Sequence, residues 1–189
     1  VNKSLLDTDI LSEIGKGIDP TVARHAAAYL SAFGRYTLSA VTVAEVIWGL
    51  EKRQSFRRLN AFRASLPSME VLPFADAADL AGRIGAGLDR IGQPIGLADT
   101  MIAAIALEHG LELVTGNTSD FQRVQQLGYP LTLSNWRLPW PGGLARGSLA
   151  RGSDFHLPGG HWPGGQSLFL VSRRIGQGVS LCSWFLAGD

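Results

Sequence analysis

A single cysteine, Cys182, in 189 residues leaves no internal disulfide to form, and the four histidines are scattered without the paired spacing of zinc ligands. Thiol chemistry and structural zinc are both excluded as organising principles. No apolar run approaches the roughly 18 residues that a membrane-spanning helix needs, and Val1 to Leu11 lacks the apolar core of a secretory signal. The expected location is the cytoplasm, with no membrane partner. Charge of one sign is missing too: the net charge is +1, and residues 1–137 carry 13 Lys and Arg against 14 Asp and Glu. Without a general basic field, any affinity for nucleic acid has to be local. The candidate cluster is Lys52, Arg53, Arg57, Arg58 and Arg63, where the 53–57 spacing of one helical turn suggests a cationic stripe.

What is present is a hydrophobic fraction of 46% with 17% charged residues, ordinary for a globular chain with one well-filled core. Short strands are expected at Lys3–Leu6, Tyr36–Ser39, Val71–Leu72, Leu113–Thr115 and Leu131–Leu133. Between them fall helices over Thr8–Gly15, Pro20–Phe33, Thr42–Leu50, Ser55–Ser65, Ala75–Ile91, Leu97–His109 and Asn117–Leu127. Asp19 followed by Pro20, and Gly34 after Phe33, supply start and stop signals for the second helix. Alternating strands and helices imply an α/β fold: a parallel sheet covered on both faces.

Residues 138–189 differ in kind. They hold 11 Gly and 4 Pro, a tandem LARGS repeat at 144–153 and three copies of PGG. Ser167–Val171 and Val179–Leu186 have strand potential, but the composition is that of a Gly/Pro-rich, poorly ordered tail. The expected division is therefore a domain over 1–137 and a tail over 138–189.

In an open parallel sheet, ligands sit beyond the carboxyl ends of the strands, where strand order reverses. Asp7 directly follows the first strand, Glu45 is expected in the first helical turn after the second, and Asp120 in the first turn after the fourth. Asp99 begins the Leu97 helix and reaches the same crevice if that helix runs back behind the first strand. Each acid also has a bland explanation. Thr42 with Glu45, and Asn117 with Asp120, have capping-box spacing, and Asp99 suits a helix dipole. Asp7 alone has no evident capping role. Four carboxylates gathered without a basic partner repel one another and call for a cation, and hard oxygen ligands select Mg²⁺ or Mn²⁺. Such an ion activates water and stabilises charge on a phosphodiester, so the implied reaction is phosphodiester hydrolysis.

Four blocks then stand in a recognisable order: LLDTDILSEI at 5–14, SAVTVAEVIWGL at 39–50, GLADTMIAAIALEHGL at 96–111 and LVTGNTSDF at 113–121. Together they resemble the PIN-domain ribonuclease toxins of the VapC type, over residues 1 to about 137. The resemblance implies a three-layer α/β/α domain with a five-stranded parallel sheet and Mg²⁺- or Mn²⁺-dependent endoribonuclease activity. It further implies homodimerisation and neutralisation by a cognate antitoxin. It carries over Asp7, Glu45, Asp99 and Asp120 as the acidic site, with Thr8, Thr115 and Asn117 as supporting polar residues. The family often has Asn where this chain has Asp9, which leaves open whether Asp9 faces the metal.

Two rival readings use the same residues. The D-x-D of LLDTDIL also fits an aspartate-nucleophile phosphatase with Asp7 as nucleophile and Asp9 as acid, although no later G-D-x-x-x-D follows. A partner-binding protein without catalysis would receive an antitoxin arginine in the acidic pocket. Trp48, Leu50, Phe56, Leu59 and Phe62 would then line a groove or dimer contact, with plain core as their simpler role.

Overall fold

A computed structural model describes residues 1–139, 171–175 and 179–183. Five short strands form one parallel sheet in the order β3-β2-β1-β4-β5: β1 Ser4–Leu6, β2 Thr37–Ser39, β3 Glu70–Leu72, β4 Glu112–Val114 and β5 Leu133–Ser134. The helices are α1 Thr8–Lys16, α2 Pro20–Phe33, α3 Ala40–Lys52, α4 Phe56–Ser65, α5 Ala78–Arg90, α6 Leu97–Glu108 and α7 Thr118–Gln126.

The two-residue period of the strands builds the layers. Leu5 and Leu113 point to one face, where they meet Ile84, Leu88, Ile102, Ile105, Phe121 and Val124 of α5, α6 and α7. Their neighbours Leu6 and Val114 point to the other, against Ile10, Ile14, Val22 and Tyr29 of α1 and α2. One sheet thus separates two apolar cores, giving the expected three-layer α/β/α arrangement. Fully burying each such aliphatic side chain contributes about 1.5–3 kcal/mol.

Local chemistry fixes the element ends and corrects several boundaries. The first helix stops at Gly17, which adopts φ 63°, rather than at Gly15. For α2, the Asp19 carboxylate accepts from Thr21 N–H and Val22 N–H ahead of Pro20, and Gly34 closes the helix at φ 74°. The third helix starts at Ala40, two residues before the expected Thr42, because Ser39 is its cap and accepts from Thr42 N–H at 2.8 Å. The span expected as one helix from Ala75 begins as a 3₁₀ turn, Ala75–Ala77, before α5.

In the C-terminal region, Val171–Ile175 (β6) pairs antiparallel with Val179–Ser183 (β7), so the first strand there lies later than Ser167–Val171. The expected disorder of the remaining tail falls on 140–170, 176–178 and 184–189, outside the described residues.

Candidate active site

Strand order reverses between β1 and β4, since the chain proceeds from β1 outward to β2 and β3 on one side and through β4 to β5 on the other. At the carboxyl end of that pair stand Asp7 and Thr115. The Asp7 N–H donates to Val114 O at 3.0 Å, continuing the ladder one residue beyond β1. Its side chain is 5% exposed, with Oδ1 accepting from Thr8 N–H at 2.7 Å and Oδ2 accepting from the Thr115 hydroxyl at 2.8 Å. Asp7 is therefore the cap of α1, a role the sequence did not suggest. Burial nevertheless dominates: it pushes the carboxyl from its ordinary 3.8 up to about 6, against the Thr115 hydrogen bond, and the charges of Asp9 and Asp99 push the same way.

Glu45 is not part of a capping box. Helix α3 is capped by Ser39, so Glu45 lies in the second turn rather than the first, and its Oε2 accepts from the Thr8 hydroxyl at 2.6 Å. Asp99 sits in the first turn of α6, whose cap position is Gly96 with no side-chain capping bond. A Cβ at Gly96 would stand 3.0 Å from Asp99 Oδ2, so the glycine leaves that carboxylate its room. Asp99 is half-buried and its carboxyl is raised, by desolvation first and then by the charges of Glu45, Asp120 and Asp9. The amino end of α6 does reach the crevice.

Asp120 is the best-compensated of the four. Its Oδ2 accepts from Asn117 Nδ2 at 2.8 Å and its Oδ1 pairs with Arg123 at 3.1 Å. Asn117 does not cap α7 with its side chain, so here too the capping-box expectation fails. Its backbone N–H donates to the Thr115 hydroxyl at 3.0 Å, which in turn orients Asp7.

Asp9, left open by the sequence, points into the same region. Its Oδ2 accepts from Gly116 N–H at 2.9 Å and pairs with Arg137 Nη1 at 2.8 Å, while its Oδ1 is buried without a hydrogen-bond partner among the described residues. Gly116 and Arg137 were missed by sequence reasoning. Only the glycine between the strand end and Asn117 hinted at the first, and nothing marked an arginine so far along the chain from Asp9 and Glu13, the acids it meets.

The basic cluster does not form a stripe. Helix α3 ends at Lys52 and α4 begins at Phe56, and the chain turns between them with Gln54 at φ 54°, so Arg53 and Arg57 are not one turn apart on one helix. Lys52 lies over the Trp48 ring at 5.0 Å, and Arg63 pairs with Glu51. Of the apolar hairpin residues, Leu59 is buried and Phe62 packs on the core, whereas Trp48 and Phe56 are exposed at 67% and 58%. Core explains Leu59 and Phe62 but not Trp48 and Phe56, and Leu50 is of intermediate exposure.

Among the described residues, no three His, Cys, Asp or Glu side chains enclose a point that could hold a metal ion. The acids are an electrostatic neighbourhood rather than a closed chelate. The sequence profile of the PIN domain family matches residues 4–127. This chain belongs to the PIN domain family, in its VapC type. It is 42% identical over 93 residues to a tRNA(fMet)-specific endonuclease VapC of Shigella flexneri, covering 48% of this chain and 70% of that protein. It is 33% identical over 142 residues to ribonuclease VapC2 of Haemophilus influenzae, covering 71% of this chain and 98% of that protein. A DNA-bound VapBC structure from Salmonella typhimurium superposes with a TM-score of 0.59 at 31% identity, over 72% of this chain and 99% of that one. Among the described residues no helix is long and apolar enough to cross a membrane.

Proposed function

We propose that this PIN domain is the toxin half of a toxin–antitoxin pair, an endoribonuclease that hydrolyses RNA phosphodiesters in the acidic crevice and is silenced by a cognate antitoxin. One observation carries the reading. Asp7, at the point where strand order reverses, is a buried carboxylate held among like charges, with its proton affinity raised. A protein keeps so costly a group where it has chemistry to do.

The donor set fits Mg²⁺ or Mn²⁺ in one particular way. All candidate ligands are hard oxygens, and Asp7 and Asp99 both feel neighbouring negative charge. Mg²⁺ retains several waters and is commonly held through one or two carboxylates, so a crevice without three enclosing acids suits an aquated ion better than a dehydrated one. When bound, the cation would supply Lewis-acid stabilisation of charge on the phosphate and an activated water. Asp7, Glu45 and Asp99 are the candidate ligands, and Asp120, whose charge is already met by Arg123, serves at the rim. The Thr8 and Thr115 hydroxyls fix the orientation of Glu45 and Asp7, and Asn117 fixes Thr115 and Asp120. Lys52, Arg53, Arg57 and Arg58, on either side of the α3–α4 turn, are the candidates for phosphate contacts. The protein acts in the cytoplasm as a homodimer, and its independent folding unit is 1–137.

The test is cleavage of total small RNA with Mg²⁺ or Mn²⁺, comparing wild type, Asp7→Asn and a chelator control. Wild type cleaves, chelation stops it, and the variant is slower by about 100-fold or more. Equal cleavage by the variant overturns the assignment of Asp7. Phosphate release from a small phosphomonoester, with RNA left intact, favours the Asp7–Asp9 phosphatase reading instead.

A further inference from the structure

One cation that the chain itself supplies lies against the acidic crevice, and it is held there by a built turn. Leu138 N–H donates to Asn135 O at 3.0 Å, and Arg137 N–H donates to Asn135 Oδ1 at 2.9 Å. The turn is pinned on both sides of Arg137. Trp136 is buried and stacks on His25 with centroids 5.8 Å apart, while His25 Nε2 lies 3.2 Å from Leu138 O. The Arg137 side chain is thereby directed at α1, where Nη1 pairs with Asp9 at 2.8 Å and Nη2 lies 3.9 Å from Glu13.

The path is kept open by Gly116. A Cβ at that position would fall on the Arg137 guanidinium and crowd the Asp9 carboxylate, so any other residue would oblige those side chains to shift from this arrangement. The same backbone position donates its N–H to Asp9 Oδ2, giving that oxygen two donors. Asp9 is close enough to the other acids for its charge to be felt at both Asp7 and Asp99. With side chains 37% and 31% exposed, the Arg137–Asp9 pair contributes little to stability as an ion pair. Its consequence lies in the charge and position of a fifth carboxylate.

We propose that Arg137 is a positioning residue of the crevice: it cancels the charge of Asp9 and pins its Oδ2 on the Gly116 amide, so that this fifth carboxylate adds no net charge to the cation-holding set. The pair Asp9–Arg137 then behaves as a neutral side chain would at position 9, since an asparagine oxygen could accept from Gly116 N–H with no charge to balance. This inference rests on the reading of Asp7, Glu45 and Asp99 as a cation site, and the experiment separates the two.

Mn²⁺ is titrated into the full chain, free Mn²⁺ is followed by its paramagnetic resonance signal, and each variant's melting temperature is recorded without metal. Removing the guanidinium in Arg137→Gln leaves an extra negative charge and tightens Mn²⁺ binding by about three- to tenfold. Asp9→Asn leaves an extra positive charge and weakens it by about the same factor. The double variant Asp9→Asn with Arg137→Gln returns to within about twofold of wild type, and Arg137→Lys stays near wild type because the charge is kept. If Arg137→Gln fails to fold, Asp9→Asn and Arg137→Lys carry the test alone. Unchanged Mn²⁺ affinity in the variants, with wild type binding normally, overturns the role of Arg137 and leaves the cation site standing. No saturable Mn²⁺ binding by wild type overturns the cation site, and the proposal with it.

Discussion

The two ends of β1 carry the same kinds of side chain in opposite electrical states. At the amino end, Glu70 has partners: Lys3 Nζ stands 2.8 Å from one oxygen, and the Thr37 hydroxyl donates to it at 2.7 Å. Its carboxyl is held below its ordinary range, chiefly by Lys3 and Thr37. Tyr29, fully buried, ties that end together by donating to Ser4 O at 3.0 Å and lying 3.2 Å from the Thr37 hydroxyl. At the carboxyl end, roughly 10 Å away along a three-residue strand, Asp7 is pushed up to about 6 and Asp99 is raised as well. The difference is one of burial first and of counter-charge second. One end is neutralised by the fold and stabilises it; the other is left acidic, at a cost, where an external cation can neutralise it.

Truncating the anchor of the quiet end should have the largest effect on stability. Tyr29→Ala removes a fully buried ring that contacts Phe33, Tyr36 and Trp136 and leaves the Ser4 and Thr37 polar groups short of a partner. A loss of about 3–5 kcal/mol is expected in urea unfolding. A cost below about 1 kcal/mol would show that the amino end does not anchor the fold.

The acidic end should respond with the opposite sign. The Asp7 carboxyl binds its proton more tightly in the folded chain than its ordinary 3.8 allows, so stability is lost as pH rises from about 4 to about 6. Asp7→Asn removes that dependence. The variant should match wild type near pH 4 and exceed it by up to roughly 3 kcal/mol above pH 6, even as RNA cleavage is lost. A melting-temperature difference that stays flat across that window, or turns against the variant, would place the acidic group's cost elsewhere. Mg²⁺ should raise the wild-type melting temperature and leave that of Asp7→Asn nearly unchanged, by mass action on the folded state.

Sequence made the layers legible because period and punctuation act locally. Leu5 and Leu6 facing opposite cores, Asp19–Pro20 starting a helix and Gly34 ending it all follow from neighbours within a few positions. The acids were legible as a set because each follows a strand or opens a helix. Their hydrogen bonding was not. Thr42–Glu45 and Asn117–Asp120 have capping spacing, yet Ser39 outcompetes Thr42 as cap, and Asn117 turns its amide to Asp120. Asp7, with no capping role legible in its neighbours, is a cap. Arg137 was invisible for a different reason: its partner is fixed by where β5 and the Trp136 turn return to the sheet, a tertiary fact with no local pattern. Arg53 and Arg57 make no helical stripe because the chain turns at Gln54 between α3 and α4.

The smallest effect is expected at the amino end of β1. Glu70→Gln keeps the shape at the amino end and removes its charge, so Lys3 loses its counter-ion while Thr37 can still donate to the amide oxygen. Lys3 is 44% exposed, so solvent screens much of the pair and the cost should be only a few tenths of a kcal/mol to about 1. Because the Glu70 carboxyl is held low, its contribution is present above about pH 4.5, the ordinary value, and fades as pH falls below it. The variant should therefore be weaker than wild type at pH 7 and converge with it in acid, the reverse of Asp7→Asn, with RNA cleavage unaffected. Two carboxylates on one sheet would then show stability profiles that diverge from each other with pH. If both variants moved in the same direction, the contrast between the Glu70 and Asp7 carboxylates at the two ends of β1 would fail.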